Sequence, residues 1–287
     1  MPFADDLQRP EGPVALPDGS IALVEGGRGC VSEIGPGGES RRTVAVTGEP
    51  NGLAVDRDGV FWVADTRPPA LIRLEPDGRF ERVLTSSGEE PFVYPNDLCF
   101  GPDGMLYMTE SGISDDDLAP GGAFRDDWRT VAIDGRVYRI DPRSLEIEPL
   151  TGGIRYANGL AFGPDNALYV AETLSGAILR YEWEDGSLGP ASVFGNVNDP
   201  AKPDDFRGPD GMAFDVDGNL YVAVFGQGDV TVLDPQGEVM RRIETPGKQT
   251  TNVCFGFGDS EDIYVTEYER GHLERFDAGA RGLPLWT

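Results

Sequence analysis

Histidine occurs once, at His272, and cysteine three times, at Cys30, Cys99 and Cys254, with no C-x-x-C pair. A single histidine excludes a zinc finger or a histidine-rich zinc centre. An odd cysteine count without close pairs argues against a disulfide framework; Cys99 and Cys254 lie in apolar strand patterns and are expected as core thiols. A serine triad would have to use His272, and there is no G-x-S-x-G elbow. Neither a G-x-x-x-x-G-K-[ST] loop nor a strand-linked G-x-G-x-x-G is present, so nucleotide binding has no motif to rest on.

Positive charge is also scarce. Lysine and arginine total 24 against 50 aspartates and glutamates, for a formal charge of −26. Such a surface repels phosphate backbones and anionic lipid, so neither nucleic acid nor a membrane surface is an expected partner. No apolar run approaches ~18 residues, no basic and apolar leader opens the chain, and no Asn-x-Ser/Thr sequon occurs. The expectation is a soluble, cytoplasmic protein. The sequence says nothing about oligomeric state.

What is abundant is glycine (39) and proline (23), spread along all 287 residues. That suits many short strands joined by tight turns. Self-similarity confirms the pattern. One apolar-aromatic element reads IALVE (21–25), FWVAD (61–65), LYMTE (106–110), LYVAE (168–172), LYVAV (220–224) and IYVTE (263–267). Each is rich in strand-forming residues, and most follow a turn such as DRDG, GPDG or DVDG. Those turns are only fragments of a calcium-loop pattern and read as hairpins. A second element precedes each strand and a third follows it, as in GRVYRIDP and AILRYEWEDG. Short strands repeated six times bury their faces only when packed radially. The prediction is an all-β fold: a six-bladed β-propeller with four-stranded blades around a central channel, residues 1–287 forming one domain. The last unit lacks an outer strand, which a segment around residues 2–8 is expected to supply, with the C-terminal GLPLWT as the alternative donor.

The second element carries the candidate chemistry. It reads PEGPVAL, EPNGLAV, YPNDLCF, YANGLAF, GPDGMAF and TTNVCFG, and it places Glu11, Asn51, Asn96, Asn158, Asp210 and Asn252 in equivalent positions. Their spacings, by subtraction, are 40, 45, 62, 52 and 42 residues. The two long intervals hold inserts at about 113–130 and 196–207, and long loops in such folds are often functional. In a closed ring six oxygen-bearing side chains converge on the axis, a donor set that suits a hard cation such as calcium. Taken singly, each residue is explained as a turn cap. The final residues of the middle strands form a second candidate ring: Glu25, Asp65, Glu110, Glu172, Val224 and Glu267.

These motifs, from EGPV at Glu11 through YANGLAF and GPDGMAF to TNVCFG and GLPL, resemble the gluconolactonase, regucalcin and luciferin-regenerating enzyme group of six-bladed propellers across the whole chain. The resemblance implies one divalent metal held by Glu11, Asn158 and Asp210, with Asn51 and Asn252 as additional or outer ligands. Calcium is the expected ion, with magnesium, manganese and zinc as alternatives. It implies that Asn96 meets the substrate beside Asp97. Some members place an arginine where this chain has Tyr94, which argues against a sugar-lactone-like polyol and points to a less polar or aromatic substrate. Tyr94, Glu110, Phe225 and the first insert are expected to shape the pocket. The implied function is a metal-dependent hydrolase that opens a small-molecule lactone, with the metal as Lewis acid, an activated water as nucleophile and Asp210 or Asp97 as base. A metal-dependent isomerase, dehydratase or cyclase on the same scaffold and a non-catalytic calcium-binding propeller are the alternatives.

Overall fold

The computed structural model describes residues 1–184, 186–203 and 205–285. The six repeats become six antiparallel sheets. The first comprises β1 (Pro10–Ala15), β2 (Ile21–Glu25), β3 (Cys30–Ile34) and β4 (Arg41–Val46). The second comprises β5 (Pro50–Val55), β6 (Phe61–Thr66), β7 (Pro69–Leu74) and β8 (Phe80–Leu84). A two-residue pair, β9 (Ser86–Ser87) and β10 (Glu90–Pro91), leads into the third. That blade is β11 (Pro95–Phe100), β12 (Leu106–Glu110), β13 (Gly135–Ile140) and β14 (Ile147–Ile154). The fourth is β15 (Ala157–Phe162), β16 (Leu168–Glu172) and β17 (Ala177–Tyr181), then a small hairpin of β18 (Trp183–Glu184) and β19 (Ser187–Leu188), then β20 (Ser192–Asn196). The fifth is β21 (Gly208–Phe214), β22 (Leu220–Phe225), β23 (Asp229–Leu233) and β24 (Val239–Glu244). The sixth has three strands, β25 (Thr250–Phe255), β26 (Asp262–Glu267) and β27 (His272–Asp277).

Within each sheet the strands run in sequence order from the axis outward. The first strands touch their counterparts in a closed circuit, β1 to β5, β11, β15, β21, β25 and back to β1. Composition follows radius. The second strands are buried throughout, as in IALVE and LYMTE, while outer strands such as VMRRIE are largely exposed. Because strand side chains alternate, each second strand divides its residues between two neighbours. Leu106 and Met108 pack toward the second blade with Trp62, and Tyr107 packs toward the fourth with Leu160 and Leu168. Equivalent apolar clusters fill every inter-blade interface, the last joining Cys254, Tyr264 and Leu273 to Ile21 and Leu23.

That last interface closes the ring. The N-terminal segment lies along β27: Ala4 bridges Leu273 antiparallel, and Leu7 N–H donates to Gly271 O at 2.9 Å. Phe3 stacks edge-on against Tyr264, and Ala4 and Leu7 are buried. The expected donor is thus the observed one, though it pairs through a short bridge and not a full strand. GLPLWT goes elsewhere. Gly282 bridges Asp215 and Leu283 N–H donates to Phe214 O at 2.8 Å, so this segment docks on the fifth blade; Trp286 and Thr287 lie outside the described residues.

The inner strands share one irregularity. In all six, the register against the second strand shifts next to the anchor residue. A bulge re-aims the side chain beside it, and bulges gather next to active sites. The residue after the anchor is often glycine, for a steric reason. A Cβ on Gly52 would sit 2.4 Å from Asn96 O, and one on Gly159 2.3 Å from Asp210 O. Glycine here lets each anchor approach its neighbour's backbone. Gly159→Ala is therefore expected to cost about 1–3 kcal/mol by overpacking, whereas Gly37→Ala, which meets nothing within 4 Å, should stay within about 0.5 kcal/mol of wild type. Thermal melts of the two variants check this, and equal melting temperatures would contradict the steric account.

Candidate active site

The bulged ends of the inner strands bring three carboxylates together. Glu11, Asp97 and Asp210 are buried, at 6%, 8% and 7% exposure. Burial raises the pKa of Glu11 well above the usual range, and the charges of Asp210 and Asp97 add to it. Asp210 is raised for the same reasons, burial first and then Asp97. Burial lifts Asp97 to about 7. Among the described residues no basic side chain is one of the main groups that act on these three carboxylates; hydrogen bonds from Asn252, Asn158 and the N–H groups of Gly12, Leu98 and Gly211 offset their burial in part.

The asparagines are oriented by a repeated hydroxyl. Ser111 donates to Ala157 O at 3.0 Å, so its proton is spent and it must accept from Asn96 Nδ2, 2.9 Å away. Thr173 likewise donates to Pro209 O at 2.8 Å and accepts from Asn158 Nδ2 at 3.2 Å. Each amide nitrogen is thereby fixed on the hydroxyl side. Asn96 Oδ1, on the other branch of its amide, is buried without a hydrogen-bond partner among the described residues. Buried polar atoms are seldom left in that state, and such an orphan marks a place where a ligand or ion belongs. Sequence reasoning missed Ser111 and Thr173; the signal was their shared position, directly after the acidic end of the second strand.

Asn252, expected as an anchor and as an additional or outer ligand, stands one residue beyond the anchor register: its N–H donates to Thr266 Oγ1 as Asp97 N–H donates to Thr109 Oγ1, both at 3.0 Å, and Thr251 takes the sixth anchor place. Asn252 Oδ1 accepts from Val253 N–H at 2.8 Å, and its Nδ2 donates to Glu11 Oε2 at 3.0 Å. The amide nitrogen faces the carboxylates, so Asn252 orients Glu11 and also bonds to Asp97. Asn51 donates from Nδ2 to Asn96 O at 3.1 Å and lines the cavity above Glu11.

The second candidate ring has another task. Glu25, Asp65, Glu110, Glu172 and Glu267 accept backbone N–H groups from the segment entering their own blade's inner strand. The donors are Gln8, Glu49, Tyr94, Arg155 and Gln249, at 2.9, 2.9, 2.8, 2.9 and 2.9 Å. These carboxylates clamp the chain that carries the anchors. Glu110, expected at the substrate, instead fixes the backbone of Val93 and Tyr94. In the fifth blade, where Val224 replaces the acid, Asp229 pairs with Lys202 at 3.2 Å and so fastens the second insert.

The first insert reaches the cavity over Glu11 through Asp115. It holds the one-turn helix α1 (Asp115–Leu118), capped by Ser114. Tyr94 Oη donates to Asp115 Oδ2 at 2.8 Å, and Tyr156 Oη lies 3.4 Å from Asp115 Oδ1. Burial raises the pKa of both tyrosines, so both remain hydroxyl donors. Farther along, Phe124 stacks on Phe206 of the second insert at 3.6 Å, and Phe225 meets both rings edge-on. Phe225 therefore anchors the two inserts.

These residues fit a divalent cation. Among the described residues no group of three or more histidines, cysteines and carboxylates could hold a metal ion by itself, so amide oxygens must complete the donor set. The groups available, Glu11 and Asp210 with the amide oxygens of the anchors, offer oxygen donors alone, the chemistry that hard cations take.

Comparison with known proteins agrees with this architecture. Residues 10–269 match the SMP-30/Gluconolactonase/LRE-like region model, and the chain belongs to that family. A gluconolactonase of Zymomonas mobilis subsp. mobilis is 29% identical over 278 residues, covering 88% of this chain and 75% of the relative. A gluconolactonase from Xanthomonas campestris superposes with a TM-score of 0.79 at 25% identity, over 98% of this chain and 89% of that one. Regucalcin from Agrobacterium tumefaciens, a calcium-binding protein, shares the fold at 22% identity, with a TM-score of 0.77 over 100% of this chain and 95% of that one.

The raised Asp97 pKa has a stability consequence. In metal-free protein the folded chain holds a proton that the unfolded chain releases at its lower, ordinary pKa. Stability from this group is therefore present below about pH 4 and lost as pH rises toward about 7. Chelated wild type should lose melting temperature between pH 5 and pH 8 relative to Asp97→Asn, and added divalent cation should remove the difference. Parallel pH profiles for the two chelated proteins would contradict it.

Proposed function

We propose, starting from membership of this family, that the protein is a metal-dependent lactone hydrolase whose divalent cation is held by Glu11, Asn158 and Asp210. The observation that carries this reading is the convergence of Glu11, Asp97 and Asp210, buried together without a compensating base. When bound, the cation supplies Lewis-acid polarisation of a carbonyl and neutralises the cluster. Calcium is the proposed ion, because the donor set is all oxygen.

The chain's own residues then divide the work. A carboxylate engaged with a cation is a weak base, so Asp210 is assigned to holding it and Asp97 to proton transfer. Asp97 is fixed for this by Leu98 N–H, which donates to its Oδ1 at 2.8 Å, and by Asn252. It takes a proton from the water whose oxygen bonds to the carbonyl carbon. The ring C–O bond breaks, and the proton passes to the departing ring oxygen, giving a hydroxy acid. Asn96, whose Oδ1 is buried with no hydrogen-bond partner among the described residues, is proposed to meet a substrate donor, and Tyr94 to set the wall of the pocket.

Two substitutions separate holding from proton transfer. Asp97→Asn should lower kcat about 100- to 10,000-fold while leaving the calorimetric Kd for calcium within about 3-fold. Asp210→Asn should weaken calcium binding at least about 10-fold and abolish turnover of a responsive lactone. Full activity in chelated wild type, or in Asp210→Asn, would exclude the mechanism.

A further inference from the structure

The register of the repeat places a second set of side chains above the carboxylates. Arg9, Glu49, Tyr94 and Tyr156 each stand two residues before an anchor. Arg9, Glu49 and Tyr94 line the cavity over Glu11 and Asn51 together with Asp115. Three of the four touch Asp115: Tyr94 at 2.8 Å, Tyr156 at 3.4 Å and Arg9 at 3.7 Å. Asp115 does not come from the repeat. The first insert delivers it, braced by Arg67, which pairs with Asp116 and with Glu49, both at 2.9 Å.

The space left beneath Asp115 is about 30 Å³, room for roughly two waters. Asp115 lines this cavity beside Glu11, Asn51 and Tyr94, so a lactone bound there meets its carboxylate. The charge it meets is negative. Glu49 is paired with Arg9 at 2.7 Å and Arg67 at 2.9 Å, while Asp115 has Arg9 alone as an ion-pair partner among the described residues, at 3.7 Å. Below them lie Glu11, Asp97 and Asp210, and the whole chain carries −26. Burial disfavours the charged form of Asp115, and Glu49 adds to this against the help of Tyr94 and Arg9. A neutral donor is therefore a better partner for it than a second anion is for the site.

We infer that Asp115 is a specificity-determining residue: its carboxylate accepts a hydrogen bond from a donor on the lactone ring and, with Glu49, turns away lactones that carry negative charge. This rests on the lactone-hydrolase reading above. If Asp115 served only to fasten the insert to Tyr94, its removal would change all substrates alike.

The test uses calcium-loaded full-length protein and three probes: γ-butyrolactone, its α-hydroxy derivative, and a γ-lactone bearing a ring carboxylate. Wild type should favour the hydroxylated over the parent lactone in kcat/KM, and the parent over the anionic one, each by about 10-fold or more. Asp115→Ala should collapse the first ratio to within about 2-fold. Asp115→Asn, which keeps an acceptor but no charge, should keep the first ratio and shrink the second by about 10-fold. Ratios that match wild type in both variants overturn the inference, provided melting temperatures show the variants folded. The same ligands are also titrated calorimetrically. Selective binding that Asp115→Ala abolishes, without turnover in wild type, supports the inference and sinks the hydrolase reading. Equal affinity for all three ligands overturns the inference whatever the turnover.

Discussion

Like charges held together inside a protein are unstable unless something answers them, and this chain gathers Glu11, Asp97 and Asp210 at one end of its channel. Burial and mutual repulsion keep these carboxyls protonated well above their ordinary range. A divalent cation relieves both costs at once. The surrounding architecture serves that arrangement: bulges beside the anchors, glycines such as Gly159 that allow close approach, and hydroxyls that fix the asparagine amides. The acidic clamps one strand out, from Glu25 to Glu267, secure the backbone that carries them.

The propeller has two chemically distinct parts. Its blades are set by alternation, because each second strand must satisfy two neighbours, so their residues are nearly all apolar and repeat closely. The site is set by six equivalent positions that differ in identity. A symmetric ring of six asparagines would carry no net charge. Glu11 and Asp210 at two of the positions, Thr251 at a third and Asp97 after Asn96 make the ring acidic and asymmetric. The inserts add the remaining asymmetry, because Phe124 and Phe206 stack one insert on the other and Asp115 reaches Tyr94.

Much of this was legible in the sequence. Six apolar-aromatic strands and six anchors specify six blades, because strand period and repeat length leave few other ways to bury those faces. Register placed Glu11, Asn158 and Asp210 among the anchors, and the family resemblance singled them out as the expected metal ligands. What was not legible depended on side-chain direction. Glu110 ends a middle strand like its equivalents, and nothing in one dimension distinguishes a backbone clamp from a substrate contact. Asn252 looks like an anchor in one dimension, but in the sheet register it takes the place of Asp97, with Thr251 at the anchor position, and Val253 N–H holds its oxygen as Leu98 N–H holds that of Asp97. Asp115 sits in a non-repeating insert, where periodicity carries no information. Arg9 and Tyr156 could have been found by extending the register two residues upstream of the anchors.

The central claim is that the anchors form one cation site on the propeller axis. An anomalous difference map from crystals soaked in manganese, used as a heavier stand-in for calcium, tests it most directly. The account predicts a single strong peak bonded to oxygens of Glu11, Asn158 and Asp210, with Asp97 close by and the clamp carboxylates such as Glu25 and Glu267 free of metal. A map with no peak on the axis, or with its main peak at the clamp ring, would contradict it.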